Sequence, residues 1–332
     1  MAATTPADQV DPSRLVEIAT GYMAAKQLFA AAEADLFTLL SKEELSAAEL
    51  GAKAGIPERT ARILADSMAS LGLVVRDGGR YRAGDLAKAY LCDGSTEIDL
   101  RPFLSFLDSI SYPHWSGFGE TVGSGDPRPL DLGGDRLSTF MRGVMTYNAL
   151  HARMLASVYD YSPHRRLLDV GGLSAAFVAE ALKQNPQLKA TFFTRQEMAG
   201  SARSILEGAG LGDRAEVREG DPQVDPIPTG HDLVLLEHVV HRFNAEQNEH
   251  LLSRVRQSSE TGTRLILLDF FLDSDARQRT IDSLHAGEYL VIDGTVVYPE
   301  TEVVDWMRSA GWALVEKRDV PGSPRILIAE AL

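Results

Sequence analysis

Two stretches of the chain carry residue types that do chemistry. Leu168-Asp-Val-Gly-Gly-Leu-Ser174 follows an apolar run and precedes a helical pattern. Glycines in such a turn let a ligand approach the backbone, and a helix N-terminus attracts negative charge. A bare pair of glycines is a weak signal. The second stretch is Val239-Val-His241-Arg242, just beyond the apolar run that ends at Glu237. Histidine binds protons near neutral pH, which suits it to deprotonate a phenol or an alcohol. The plain alternative is a strand-end histidine satisfied by a neighbour. His285 and Glu288 lie three apart on a predicted helix, hence on one face. They read equally as an acid–base pair and as a surface hydrogen-bonded pair. His114, His151 and His250 have no metal-ligand spacing, and no metal is expected. Cys92 stands beside Asp93 and Gly94 with no basic residue next to it, so it reads as an inert thiol.

The elements that must position these residues alternate from 165 onward. Apolar runs at 166–170, 188–193, 215–221, 231–237 and 263–269 read as strands. Helical patterns at 174–184, 197–209, 245–258 and 299–311 separate them, and two strands, 313–320 and 325–331, finish the chain. This rhythm predicts a parallel sheet covered by helices on both faces, with ligands beyond the carboxyl ends of the strands at the switch point. Both the glycine turn and His241 fall at that edge.

The first third reads differently. Residues 14–40 are helical, Ser46-Ala-Ala-Glu49 is a capping box opening a helix that ends at Gly55, and Pro57 opens another over 58–71. Residues 73–82 form two short strands about Asp77-Gly78, a hairpin signal. Helices followed by a hairpin make a winged helix. It serves DNA, through Arg59 and Arg62, or dimerisation. The scarcity of basic residues favours dimerisation. The intervening connector is punctuated by Pro102, Pro113, Pro127 and Pro129, loop-like from 117 to 134, and rich in aromatics from Phe103 to Tyr147. Those rings read as helix–helix core or as the wall of a pocket.

Composition bounds the whole. Of 332 residues, Lys and Arg number 33 and Asp and Glu 47, a net charge of −14. A chain this acidic is a poor ligand for nucleic acid. One cysteine excludes an internal disulfide. The N-terminus has neither the basic nor the apolar segment of a leader, and no run reaches the ~18 apolar residues of a membrane span, so a cytoplasmic protein is expected.

Taken together, the winged helix, the connector, Asp169-Val-Gly-Gly172, Gly220-Asp221, Val239-Val-His241, the strand end at 268–272, and Pro299-Glu300 leading to Ala310-Gly311-Trp312 resemble the S-adenosylmethionine (SAM) dependent O-methyltransferases of plant phenolics and bacterial aromatic polyketides. The resemblance covers nearly the whole chain. It implies a Rossmann-like class I methyltransferase domain over 161–332, a winged-helix dimerisation domain over 1–100, and a helical connector over 101–160 lining the substrate pocket. It further implies a homodimer and a SAM site at Asp169, Gly171, Gly172, Thr194, Asp221, Pro222 and Glu237. His241 stands at the family's catalytic position, with Arg242 able to steady an anionic oxygen and His285 and Glu288 beside it. Phe103, Trp115, Met141, Met145 and Tyr289 fall where the family lines its acceptor pocket.

The sequence departs from the family where SAM should sit. Leu173 and Ala175 replace the third and last glycines of Asp-Val-Gly-Gly-Gly-x-Gly, and Leu173 would intrude on the methionine moiety. Thr194 holds the place of the carboxylate that takes the ribose hydroxyls. Arg242 replaces the acid after the histidine, and the family's helper carboxylate falls near Val297. These changes predict that SAM binds weakly, if at all. Three functions follow: methyl transfer to a hydroxyl of an aromatic, polyketide-like molecule; a cyclase, pericyclase or hydroxylase-type step that no longer uses SAM for methylation; or a noncatalytic binding or regulatory protein.

Overall fold

The computed structural model describes residues 11–274 and 278–332. The segment read for a leader lies almost wholly outside them. The chain divides into two units at Ser109 and Ile110, so the connector is split between them rather than standing alone.

In the first unit, α1 (Ser13–Glu33) is followed by α2 (Leu36–Lys42). The sequence reads as one helix over this stretch, but Asp35 adopts a left-handed φ of 54° and turns the chain. A two-residue strand β1 (Leu45–Ser46) leads into α3 (Ala47–Ala54) through the expected capping box, and Gly55 ends α3 in the left-handed conformation. Then come α4 (Glu58–Ser70), β2 (Val74–Asp77), β3 (Arg80–Ala83), α5 (Asp85–Tyr90) and α6 (Arg101–Phe106). The hairpin turns on Gly78 and Gly79, both at positive φ, one residue later than the sequence suggests. Arg62 of α4 pairs with Glu58, and the wing's arginines pair with acids too: Arg76 with Asp66, Arg80 with Glu49 and Arg82 with Glu44.

The second unit opens with α7 (Tyr112–Trp115), α8 (Phe118–Ser124) and α9 (Arg136–Val158). The stretch read as loop from 117 thus contains a helix. The α/β part follows: β4 (Arg166–Val170), α10 (Ala176–Gln184), β5 (Lys189–Thr194), α11 (Gln196–Gly208), β6 (Ala215–Glu219), β7 (Leu233–Glu237), α12 (Ala245–Gln257), β8 (Arg264–Asp269), α13 (Thr280–Ile292), α14 (Glu300–Ser309), β9 (Trp312–Arg318) and β10 (Arg325–Ala331). The strand order is β6-β5-β4-β7-β8-β10-β9. The sheet is mixed, not wholly parallel: β10 runs antiparallel to both β8 and β9. The last two strands follow each other through a short loop, too short for a parallel crossover.

Alternate residues of each strand enter different cores. Leu167, Leu233, Leu235 and Ile266 pack with Phe177 and Leu182 on one face; Leu168, Val234, Leu236 and Leu267 pack with Leu251, Trp306 and Trp312 on the other. Strands buried on both faces read as continuous apolar runs, which is why they are legible. The switch point lies between β4 and β7, whose neighbours extend in opposite directions. Among the described residues, no helix is long and apolar enough to cross a membrane.

Candidate active site

Four parallel strands deliver polar side chains to one edge: Asp169 near the end of β4, Thr194 ending β5, Glu237 ending β7 and Asp269 ending β8. Beyond β4 the chain turns at Gly171, whose φ is 75°, a conformation that glycine adopts without strain. Beyond β7, His238 takes a φ of 53°, rare for a residue with a Cβ. Its amide still donates to Leu268 O at 2.9 Å. The kink releases the chain from the sheet into the short helical turn that carries His241.

His241 reaches the end of β8. Its Nδ1 lies 3.0 Å from both oxygens of Asp269, and its amide donates to Asp269 Oδ2 at 3.3 Å. Burial pushes the Asp269 carboxyl up, but His241, His238 and the Phe270 amide outweigh it and hold it below the ordinary carboxylate range. An ionised Asp269 fixes the proton on Nδ1 and leaves Nε2 of His241 as the basic nitrogen. Tyr289 of α13 lies against the imidazole, ring centres 4.3 Å apart. The sequence reading expects a partner near Val297 and finds none; the structure supplies Asp269 instead. The missed signal was an acid closing the apolar run of the strand next to the one that carries His241.

Behind the dyad is a second imidazole pair, also missed. His151 Nδ1 and His238 Nε2 are 3.0 Å apart. Burial, opposed by Asp269 and reinforced by His241, His285 and Arg242, holds His238 down to about 4, so it is neutral at physiological pH. His238, His241 and Asp269 bring one ligand atom each within 4.8 Å of one another. His238 Nε2 is within hydrogen-bond distance of His151, and His241 Nδ1 of Asp269, so these ligand atoms already have protein partners.

His285 and Glu288 both sit on α13 but serve different neighbours. His285 Nε2 meets the Tyr147 hydroxyl at 3.1 Å, Nδ1 takes Ile281 O, and the ring stacks on Phe270 at 3.7 Å. Glu288 Oε2 accepts from Ser111 at 2.9 Å and from Trp115 Nε1 at 2.5 Å, while Oε1 is buried and unpartnered. Burial raises the Glu288 carboxyl. Met141 and Met145 lie half-buried on α9, four residues apart. Phe103 lies in the first unit, on α6 beside Phe106.

Around the glycine turn, Gly171, Leu173, Thr194, Arg195, Pro222, Arg242 and Phe243 line a cavity of about 160 Å³. Arg242 donates to Gly171 O at 2.8 Å. The Thr194 hydroxyl donates to Gly172 O at 3.2 Å. Arg195 pairs with Asp221 at 2.8 Å across the mouth. Asp169 and Glu237 lie beneath the turn, fully buried, with no donor on any carboxylate oxygen. Burial raises both carboxyls, and their mutual repulsion raises Glu237 further.

A family model described as an O-methyltransferase domain matches residues 130–313, and one described as an O-methyltransferase dimerisation domain matches residues 16–93. The chain is 30% identical over 315 residues to a 3-hydroxy-5-methyl-1-naphthoate 3-O-methyltransferase of Streptomyces sahachiroi, covering 92% of this chain and 91% of that protein. It is 26% identical to the tetracenomycin polyketide synthesis 8-O-methyl transferase TcmO of Streptomyces glaucescens, covering 96% of each. Among solved structures, the apo form of the SAM-dependent methyltransferase SibL superposes with a TM-score of 0.82 at 27% identity, covering 97% of this chain and 99% of SibL.

Proposed function

The chain belongs to the SAM-dependent O-methyltransferase family, and from that premise we propose that it methylates a hydroxyl of an aromatic, polyketide-like small molecule in natural-product biosynthesis. The observation that carries this reading is the His241–Asp269 dyad at the same sheet edge as the glycine turn. The relatives named above act on a naphthoate and in tetracenomycin polyketide synthesis.

The residues fit the methyl donor at its aminoacyl end. Four buried carboxylate oxygens without a donor lie under the glycine turn, and SAM carries an ammonium group. Asp169, Glu237, Gly171 and Gly172 would hold that end, with Thr194, Asp221 and Pro222 toward the nucleoside. When bound, SAM supplies an activated methyl group. The chain's own residues do the rest. His241 Nε2 accepts the proton of the acceptor hydroxyl, and Asp269 stabilises the imidazolium so formed. Arg242 braces the turn through Gly171 O. Tyr289, Trp115, Met141 and Met145 bound the acceptor and exclude water, and His285, tied to Tyr147, stiffens α13 against α9. The first unit pairs with a second copy of the chain through α1, making a cytoplasmic homodimer that does not bind nucleic acid.

A second reading, a repurposed enzyme that no longer methylates, is favoured by the narrow nucleoside end. Leu173 lines it, the Thr194 hydroxyl is already bonded, and Arg195 covers Asp221. The test is transfer of an isotope-labelled methyl from SAM to a panel of hydroxylated naphthoic acids. The proposal expects a labelled methyl ether, with His241→Ala slowing turnover by about 10²–10⁴-fold. Unlabelled but chemically altered products, formed equally well without SAM, support the second reading.

A further inference from the structure

Asp169 and Glu237 belong to adjacent parallel strands on the two sides of the switch point. Their exposures are 0% and 2%. A Cβ on Gly172 would stand 2.2 Å from Glu237 Oε1 and 2.7 Å from Asp169 Oδ1. Both carboxylates therefore press on the underside of the turn, and only glycine leaves them room. Two ionised carboxylates in this position, without donors, would repel each other in a medium that solvates neither. One proton shared between its members would relieve that repulsion.

The groups facing the pair do not relieve it. The Arg242 guanidinium, from the turn after β7, favours the ionised Glu237 but is bonded to Gly171 O. The Gly172 amide favours an ionised Asp169 without completing a hydrogen bond to it. Tyr161, ahead of β4, is fully buried and keeps its phenol protonated. Two carboxylates also fall short of the six or more oxygens that a hard divalent cation gathers. What the site lacks is a cation that brings its own N–H donors. An ammonium group has three; a sulfonium has none.

We infer that the Asp169–Glu237 pair shares one proton in the free protein and releases it to solvent when the donor's α-ammonium group enters beside it. The inference rests on the function proposed above. The balance is simple: the pair passes from one negative charge to two, the ammonium enters with its three protons, and one proton leaves. Binding coupled to proton loss strengthens as pH rises while the free pair is still protonated, by up to about tenfold per pH unit.

The experiment is calorimetric titration of the full-length protein near pH 6.5, in buffers of different ionisation enthalpy. S-adenosylhomocysteine carries the ammonium, and 5′-methylthioadenosine lacks the aminoacyl arm. The expected result for S-adenosylhomocysteine is a heat that varies with the buffer, with a slope near one proton released, and binding that tightens up to about tenfold from pH 6 to pH 7. Binding of 5′-methylthioadenosine should release none. Glu237→Gln, which cannot share a proton in this way, should bind S-adenosylhomocysteine with a slope near zero. Binding with buffer-independent heat in the unaltered protein, or equal slopes for the two ligands, overturns this inference and leaves the function standing. No binding of S-adenosylhomocysteine overturns both.

Discussion

At the scale of single residues, the departures from the family concentrate around one small cavity. Leu173 lines it, and its roughly 160 Å³ is well below the ~300–1,000 Å³ usual for ligand sites. Leu173→Gly should therefore tighten S-adenosylhomocysteine binding by about tenfold, or ~1.4 kcal/mol, in a calorimetric titration. Unchanged affinity would show that the leucine already yields to the ligand. Thr194 is different: its hydroxyl anchors Gly172 O, so it stabilises the turn whether or not a ribose is present. The sheet-edge places of His241, Asp169 and Glu237 were legible because each lies at or just beyond the end of an apolar run. Asp269 was not, because partnership across two strands needs the register, in which Glu237 pairs with Leu268. The His151–His238 pair was hidden for the same reason, its members being 87 residues apart in sequence.

At the scale of elements, the strands of the doubly covered sheet were readable from their apolar runs, most within a residue or two. The direction of β10 was not, since a buried strand looks the same whichever way it runs. Its place is fixed by Arg325, 4% exposed and ringed by acids. Arg325 meets Asp273 at 2.7 Å, Glu300 at 2.6 Å and Asp319 at 2.7 Å, with Asp282 at 3.8 Å. This knot ties β10 to the starts of α13 and α14. Arg325→Leu leaves buried acids unpaired and should lower stability by about 3–5 kcal/mol, read from denaturant unfolding. A loss under about 1 kcal/mol would mean that Arg279, which also holds Asp282, carries the knot alone. The helices over 112–124 were hard to read because each is only four to seven residues long and interrupted by Pro113 and glycines.

For the whole molecule, the exposed apolar side chains of α1 bear on assembly. Leu15 is 70% and Ile18 64% exposed, with Val16, Tyr22 and Met23 also open. A row of large apolar groups on one helix marks an interaction surface. The winged helix and its use for pairing were legible from the capping box, the hairpin and the scarcity of free basic residues. Sedimentation should give a dimer at micromolar concentration, and Leu15→Glu combined with Ile18→Glu should give a monomer. A monomeric unaltered protein would remove the basis for the assembly proposed here.

If His241, held by Asp269, takes the acceptor's proton, methyl transfer depends on both residues. The most direct test is single-turnover methyl transfer by Asp269→Asn, with S-adenosylhomocysteine affinity measured on the same protein. An asparagine keeps the shape but no longer fixes the proton on Nδ1 or stabilises the imidazolium. The rate should fall about 10²–10⁴-fold, with donor affinity within about twofold of the unaltered enzyme. An undiminished rate, or a loss that merely follows weaker donor binding, would contradict that dependence.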